Sequence, residues 1–334
     1  MDREALERLE AGVHHGSRDD PRLVDFSANT NPRTPAGVAG VYGSALAAAG
    51  SYPGDGYPEY RHAAADAVGC DPEDIVPTPG GLAAIRLAVA AAVSPGETAL
   101  VPAPSFGEYA REVRLQGGEP VFRAHDKVLD ADPASHALAV VCTPNNPTGE
   151  AYPPERLRAF ADRCRDAGTV LLVDEAFLGF TDRPSLAGRE GVVVARSLTK
   201  LYGLPGLRAG YAVAAGDLGD RLSTARPTWA LGTPAAAVGA HCLRQRAFVA
   251  ATRERVRTER GRMRERLAAR FEVSPSDAPF LLLAVPDVEA VQREVQEAGI
   301  AVRDARTFRG LDSHVRVAVR TPAENDRLLE ALDV

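Results

Sequence analysis

The sequence predicts an α/β fold built on a parallel sheet, followed by a smaller α+β unit. Three observations carry that expectation. From about residue 74 to 215, short apolar runs alternate with helical stretches of ten or more residues, the pattern of strands buried on both faces. Polar turns rich in Gly, Pro and Asn follow several of these runs, at the strand ends where open α/β sheets bind ligands. After a composition break at 271–279, the order becomes strand, helix, strand, strand, helix.

Taken in order, the first forty residues show little periodicity. They contain His14-His15-Gly16-Ser17 and the polar run Asp25-Phe26-Ser27-Ala28-Asn29-Thr30-Asn31-Pro32, whose amides can serve as hydrogen-bond donors. A turn cluster, 51–58, leads to Pro58, which opens a helix through Val68. The strand 74–77 enters Thr78-Pro79-Gly80-Gly81-Leu82 and an Ala-rich helix over 83–93. Glycines at a helix start expose backbone N–H groups that suit a phosphate.

Strands follow at 98–101, 120–122 and 137–141, the last ending in Asn145-Asn146-Pro147-Thr148-Gly149. A helix at 154–166 precedes the apolar strand 169–173, which ends in Asp174-Glu175-Ala176-Phe177. The strand 191–195 ends in the turn that holds Ser197, Thr199 and Lys200, and another strand runs from Tyr211 to Ala215. A long helical tract spans 234–270, its arginine-rich second half reading as a solvated face. Strands at 280–285, 300–303 and 315–319 and helices at 288–298 and 323–332 close the chain.

The bulk numbers set limits. The 334 residues allow two or three average domains, or one large domain with a satellite. The net charge of -6 argues against a nucleic-acid binder. No run has the length of a membrane span, and the charged start, Met1 to Glu4, does not read as a signal peptide. Cys70, Cys142, Cys164 and Cys242 lack metal or disulfide spacing, so buried thiols in a cytoplasmic protein are expected, with no metal site.

Only two lysines occur, Lys127 and Lys200. Lys200 lies among hydroxyls, with Arg208 eight residues on in a glycine-rich stretch. A lysine can form a Schiff base with an aldehyde, and hydroxyls with a guanidinium can hold a phosphate. Pyridoxal phosphate carries both groups. Asp174 has the right position to keep a pyridine nitrogen protonated. Asn146 can donate to the ring's phenolic oxygen, and Phe106 can stack on the ring. Ser197, Thr199, Arg208 and the Gly80-Gly81 amides would share the phosphate, with Leu82 of the same turn among the cofactor-binding residues. Arg316 and Arg320, at even spacing, and Arg303 lie on or near strands of the terminal unit, where arginines suit substrate anions.

Together, Asn146-Pro147-Thr148-Gly149, Asp174-Glu175-Ala176, Ser197-x-Thr199-Lys200 and Arg208-x-Gly210-Tyr211 resemble the aspartate-aminotransferase superfamily, fold type I of pyridoxal-phosphate enzymes. The resemblance implies a large domain with a mostly parallel seven-stranded sheet between helices and a small α+β domain. Residues 1–40 would form an arm joining the small domain, 41–245 the large domain and 246–334 the small one. It further implies that Lys200 binds the cofactor aldehyde, Asp174 its ring nitrogen, Asn146 its O3′ and Arg208 its phosphate. Tyr52 would reach the cofactor phosphate of a neighbouring subunit in a homodimer with shared active sites.

Within the superfamily, two groups are most similar: histidinol-phosphate aminotransferases and the threonine-phosphate decarboxylases of cobalamin synthesis. His15-Gly16, the 25–32 run, Phe177 (tyrosine in most of the aminotransferases) and Arg316-Val317-Ala318-Val319-Arg320-Thr321 favour the decarboxylases. That resemblance implies loss of carbon dioxide from L-threonine O-3-phosphate, with His15 and Asn31 assisting at the substrate phosphate. The chain departs from the usual pattern at Thr78-Pro79 and at Leu82, where a Ser or Thr is customary. A regulatory pyridoxal-phosphate-binding module is the non-enzymatic alternative, disfavoured by the missing DNA-binding extension.

Overall fold

The computed structural model describes residues 1–9, 12, 20 and 22–334. Its opening helix, α1 (Arg3–Arg8), is capped by the Asp2 side chain. The strand β1 (Val24–Asp25), the helices α2 (Val38–Leu46) and α3 (Pro58–Val68), and then β2 (Ile75–Thr78) follow. Pro58 stands in the first turn of α3, and Gly69 ends it at φ 77°. Next come α4 (Gly81–Ala92), β3 (Thr98–Ala103), α5 (Glu108–Leu115), β4 (Glu119–Ala124), β5 (Leu138–Cys142), α6 (Pro154–Asp166), β6 (Val170–Asp174) and β7 (Val192–Ser197). The short α7 (Leu198–Leu201) leads to β8 (Gly210–Val213), α8 (Gly216–Ala225), α9 (Thr233–Leu243) and α10 (Arg246–Leu267). The chain closes with β9 (Glu272–Val273), β10 (Phe280–Ala284), α11 (Val288–Glu297), β11 (Ile300–Ala301), β12 (Arg303–Asp304), β13 (His314–Ala318) and α12 (Pro322–Ala331).

The large sheet has seven strands in the order β2-β8-β7-β6-β5-β3-β4. Its pairs from β7 to β4 are parallel, whereas β8 runs antiparallel to both β7 and β2. The reversal follows from the link after β7, which carries the four-residue α7 and a single 3-10 turn at Pro205–Leu207 and no crossover helix. Period-two alternation sends Val141, Val173 and Val194 into the core on one face, and Val140, Leu172 and Val193 into the core on the other. Helices cover both faces, so the C-terminal ends of β5, β6 and β7 open into one crevice.

A second sheet, β12-β13-β10-β9, is antiparallel. The strand expected over 300–303 is divided: Ile300–Ala301 pairs with β1, and Arg303–Asp304 pairs with β13. The tract expected over 234–270 is two helices, parted at Arg244–Gln245, where Gln245 leaves helical geometry at ψ 63°. The aperiodic first forty residues hold α1, β1 and the start of α2. Nor is the arginine-rich face of α10 simply solvated. Arg255 donates to the Asn31 side chain and the Arg320 carbonyl, and Arg260 donates to the carbonyls of Asp277 and Ala278. Among the described residues no helix is long and apolar enough to cross a membrane, and no acid, His or Cys cluster could hold a metal.

Candidate active site

A cavity of about 690 Å3 lies beyond the ends of β5, β6 and β7, closed on its far side by residues of β1, β12 and β13. Lys200 comes from α7, placed by Ser197, whose Oγ accepts the Thr199 N–H at 3.2 Å as an N-cap. Burial, with the charges of Arg316 and Arg208, lowers the Lys200 ammonium to about 8. A neutral amine is the form that attacks an aldehyde.

Asp174 ends β6 and is 7 % exposed. Its Oδ1 accepts the Ala176 N–H at 2.9 Å, and its Oδ2 accepts the Tyr109 hydroxyl at 2.6 Å. Burial pushes the carboxyl upward, and these two donors oppose that shift. Tyr109 is fully buried on α5, with the Phe106 ring set edge-on at 5.6 Å. Sequence reading missed Tyr109, because a tyrosine one helical turn after an aromatic reads as core packing.

Asn146 also faces the cavity, and its Oδ1 accepts a hydrogen bond from Arg316 Nη1. That commits the amide oxygen and leaves the NH2 group as the donor. At the phosphate turn, the Gly80 N–H is taken by the Thr78 carbonyl at 2.7 Å. Of the expected Gly80, Gly81 and Leu82, Gly80 therefore drops out as a donor, while Gly81 and Leu82 open α4 and have no acceptor within the helix. Gly80 has a different role. Its φ is +94°, and a Cβ there would lie 2.7 Å from Arg208 Nη2, so glycine is what lets the guanidinium close over the turn. Leu82, Phe106, Ser197, Thr199 and Arg208 all line the cavity.

The opposite side is cationic. Arg316 is 5 % exposed, donates to Asn146 and to the Ser27 carbonyl, and meets no carboxylate among the described residues. Its Nε has no partner among the described residues, and its guanidinium lies 5.1 Å from the Phe280 ring and 5.6 Å from the Phe308 ring. Burial and Arg303 push it below the usual arginine range. Arg303 lies 5.4 Å from the same Phe308 ring and donates to Thr307. Arg320 also lines the cavity, donating to the Asp25 carbonyl and pairing with Glu324 at 2.8 Å.

Two expected residues stand elsewhere, and a third cannot be placed. The Asn31 amide is used up by the Leu201 carbonyl, Thr252, Arg33 and Arg255, and it does not line the cavity; Asn29 and Asp25 of the same run do. Tyr52 lies outside this chain's cavity, 78 % exposed and stacked on Trp229 at 4.3 Å. His15 lies outside the described residues. Phe177, buried in the cavity wall, meets Phe280 edge-on at 5.1 Å.

Pyridoxal phosphate fits these residues. The glycine cradle under Arg208 and the open amides of α4 suit its phosphate, the free Asn146 NH2 its O3′, and the doubly bonded Asp174 its ring nitrogen.

The profile of the family "Aminotransferase class I and II" matches residues 26–332. The chain is 34% identical over 334 residues to a threonine-phosphate decarboxylase of Salmonella typhimurium, covering 93% of this chain and 90% of that one. It is 30% identical over 318 residues to histidinol-phosphate aminotransferase 1 of Archaeoglobus fulgidus, covering 93% and 98%. Among solved structures, an L-threonine-O-3-phosphate decarboxylase from Porphyromonas gingivalis superposes with a TM-score of 0.85 at 26% identity, covering 93% and 98%.

Proposed function

The chain belongs to the class I and II aminotransferase family of pyridoxal-phosphate enzymes, and from that premise we propose that it decarboxylates L-threonine O-3-phosphate. The observation that carries the reading is Arg316: a buried guanidinium, bonded only to neutral oxygens, beside Arg303 and facing Lys200. A buried cation without a counter-ion is costly, and an anionic substrate removes that cost. Two adjacent arginines, with Arg320 at the rim, suit a molecule carrying both a carboxylate and a phosphate.

When bound, pyridoxal phosphate supplies an aldehyde for amines and a ring that accepts electrons from the broken bond. Lys200, buried and largely neutral above pH 8, offers its amine and afterwards can move a proton at its Nζ. Asp174 holds a proton on the ring nitrogen, kept in place by Tyr109 and the Ala176 N–H. Asn146 donates from its NH2, and its oxygen ties that donor to Arg316. Phe177 presents no hydroxyl where a tyrosine would add a second donor, which supports a fate other than amino transfer.

Amino transfer of the histidinol-phosphate type is the second reading, supported by 30% identity to enzymes of that name. Incubation with L-threonine O-phosphate and no 2-oxo acid separates the two. Stoichiometric carbon dioxide with aminopropanol phosphate supports decarboxylation; turnover only of histidinol phosphate with 2-oxoglutarate overturns it.

A homodimer belongs to the same proposal: exposed Tyr42, Leu46, Tyr52 and Trp229 supply an apolar surface for a second copy. So does the division into 1–40, 41–245 and 246–334, supported by the pairing of β1 with β11. Four free cysteines suit a cytoplasmic setting.

A further inference from the structure

The turn that carries Lys200 has little of its own to hold it in shape. Helix α7 is four residues long, about one turn, and a helix so short is not stable alone. The last carbonyls of a helix also lack partners inside it. Those of Lys200 and Leu201 are taken by one residue from near the start of the chain. The Asn31 N–H donates to the Lys200 carbonyl, and the Asn31 side-chain nitrogen to the Leu201 carbonyl, both at 2.9 Å.

The Asn31 side chain is itself fixed at both ends. Its Nδ2 also donates to Thr252 Oγ1 at 3.3 Å, and its Oδ1 accepts the Arg33 N–H at 3.1 Å and Arg255 Nη2 at 2.9 Å. Turning the amide over would set donor against donor and acceptor against acceptor. Arg255 makes no ion pair among the described residues, and its other arm donates to the Arg320 carbonyl. Burial lowers it from the usual arginine range, so a cation has been withdrawn from water to serve neutral oxygens. Gly203, just past α7, has φ +66°, and a Cβ there would lie 2.5 Å from the Asn31 carbonyl oxygen and 2.6 Å from that of Arg33. Glycine is what lets this segment lie against the lysine turn. Asn31, Gly203, Thr252 and Arg255 do not line the active-site cavity.

We propose that Asn31 is a positioning residue for Lys200: from behind the turn it holds the backbone that sets the direction of the lysine side chain, and Arg255 locks Asn31 in the orientation that does so. A lysine side chain is long and flexible, so its backbone must be held if the amine is to stand within reach of an aldehyde. An error of about 1 Å at a reacting group costs roughly a hundredfold in rate. Asn31 acts only through the main chain of α7. The role is independent of whether the enzyme decarboxylates or transfers an amino group, since both begin with the same amine.

The test is the rate at which the full-length apoprotein regains visible cofactor absorbance on mixing with pyridoxal phosphate, in wild type, Asn31→Asp, Arg255→Gln and Thr252→Val. The limiting rate at saturating cofactor reports the aim of the amine, read on the alkaline plateau where Lys200 is neutral. The half-saturating concentration reports the phosphate seat. Asn31→Asp keeps both acceptor contacts, gains a charge partner in Arg255 that supports the fold, and sets a carboxylate against the Leu201 carbonyl. Expected is a limiting rate lowered by about tenfold or more, with the half-saturating concentration and the thermal midpoint unchanged. Arg255→Gln should lower the limiting rate by about threefold or more, the scale of one hydrogen bond, and carries the test if Asn31→Asp does not fold. Thr252→Val removes the contact to α10 and keeps that to Leu201, so its rate should match wild type. A wild-type limiting rate in Asn31→Asp or in Arg255→Gln overturns the proposal. So does an equal fall in Thr252→Val, or a rise in half-saturating concentration that accounts for the whole loss. No amino-acid substrate enters the measurement, so its outcome stands apart from that of the decarboxylation assay.

Discussion

The two sides of the active-site cavity are built on opposite principles. On the large-sheet side, Asp174 has two donors, Ser197 caps α7, and Gly80 gives way to Arg208. On the other, Arg316 sits between aromatic rings with neutral acceptors and an idle Nε. One side holds its acid and its lysine turn in place with its own hydrogen bonds and keeps open amides for a phosphate; the other presents a cation buried among aromatic rings. A constant cofactor is best met by a finished cradle, and an exchangeable anion by a cation that remains unneutralised until it arrives.

That contrast can be broken residue by residue. Lys200→Ala removes the only amine in the cavity. It should abolish covalent cofactor attachment, read from visible absorbance, and lower turnover by roughly 10^4-fold or more. Asp174→Asn keeps the shape and removes the charge, and kcat should fall by about 10^2- to 10^3-fold, the range for a lost electrostatic stabiliser. Arg316→Gln tests the other side: kcat/KM should drop by about 2–4 kcal/mol equivalent, carried mainly by KM, while cofactor absorbance persists. Equal damage to cofactor retention would erase the distinction between the two sides. Tyr109→Phe should cost about 1.5 kcal/mol of transition-state stabilisation and raise the Asp174 carboxyl further, seen as a displaced acid limb of the pH profile.

The smallest effect concerns pH and the apoprotein. Lys200 is lowered to about 8 in the fold, against 10.5 as its ordinary value. Between those values the unfolded chain binds more protons, so stability rises with pH across this window. The penalty is full below about 8 and gone above 10.5. Chemical denaturation of apoprotein at pH 7.5 and 10 should show that rise, and Lys200→Ala should flatten it.

Much of this was legible in the sequence, for physical reasons. Strands β5, β6 and β7 announce themselves because burial on both faces demands unbroken apolar runs, and each ends in a short polar turn that bears a site residue. The sequence also placed Arg316 on a strand, since a charge between Val315 and Val317 is conspicuous. Tyr109 was invisible because its hydroxyl acts across 65 residues on a partner that only tertiary packing supplies. Asn31 was misjudged for the same reason, its amide being consumed by Leu201, Thr252 and Arg255 far along the chain. The reversed β8 and the break at Val302 depend on pairings that period-two patterning does not encode.

The hydrogen bond from Arg316 to the Ser27 carbonyl spans 289 positions, and β1 waits for β11 to become a strand at all. On the ribosome, the seven-stranded platform is finished while the last hundred residues are still being made. The pocket for the incoming molecule is then sewn shut by joining residue 27 to residue 316. A nascent or C-terminally clipped chain would thus carry every residue proposed to seat the vitamin and no grip on the metabolite, so loss of the tail silences the enzyme while sparing those residues.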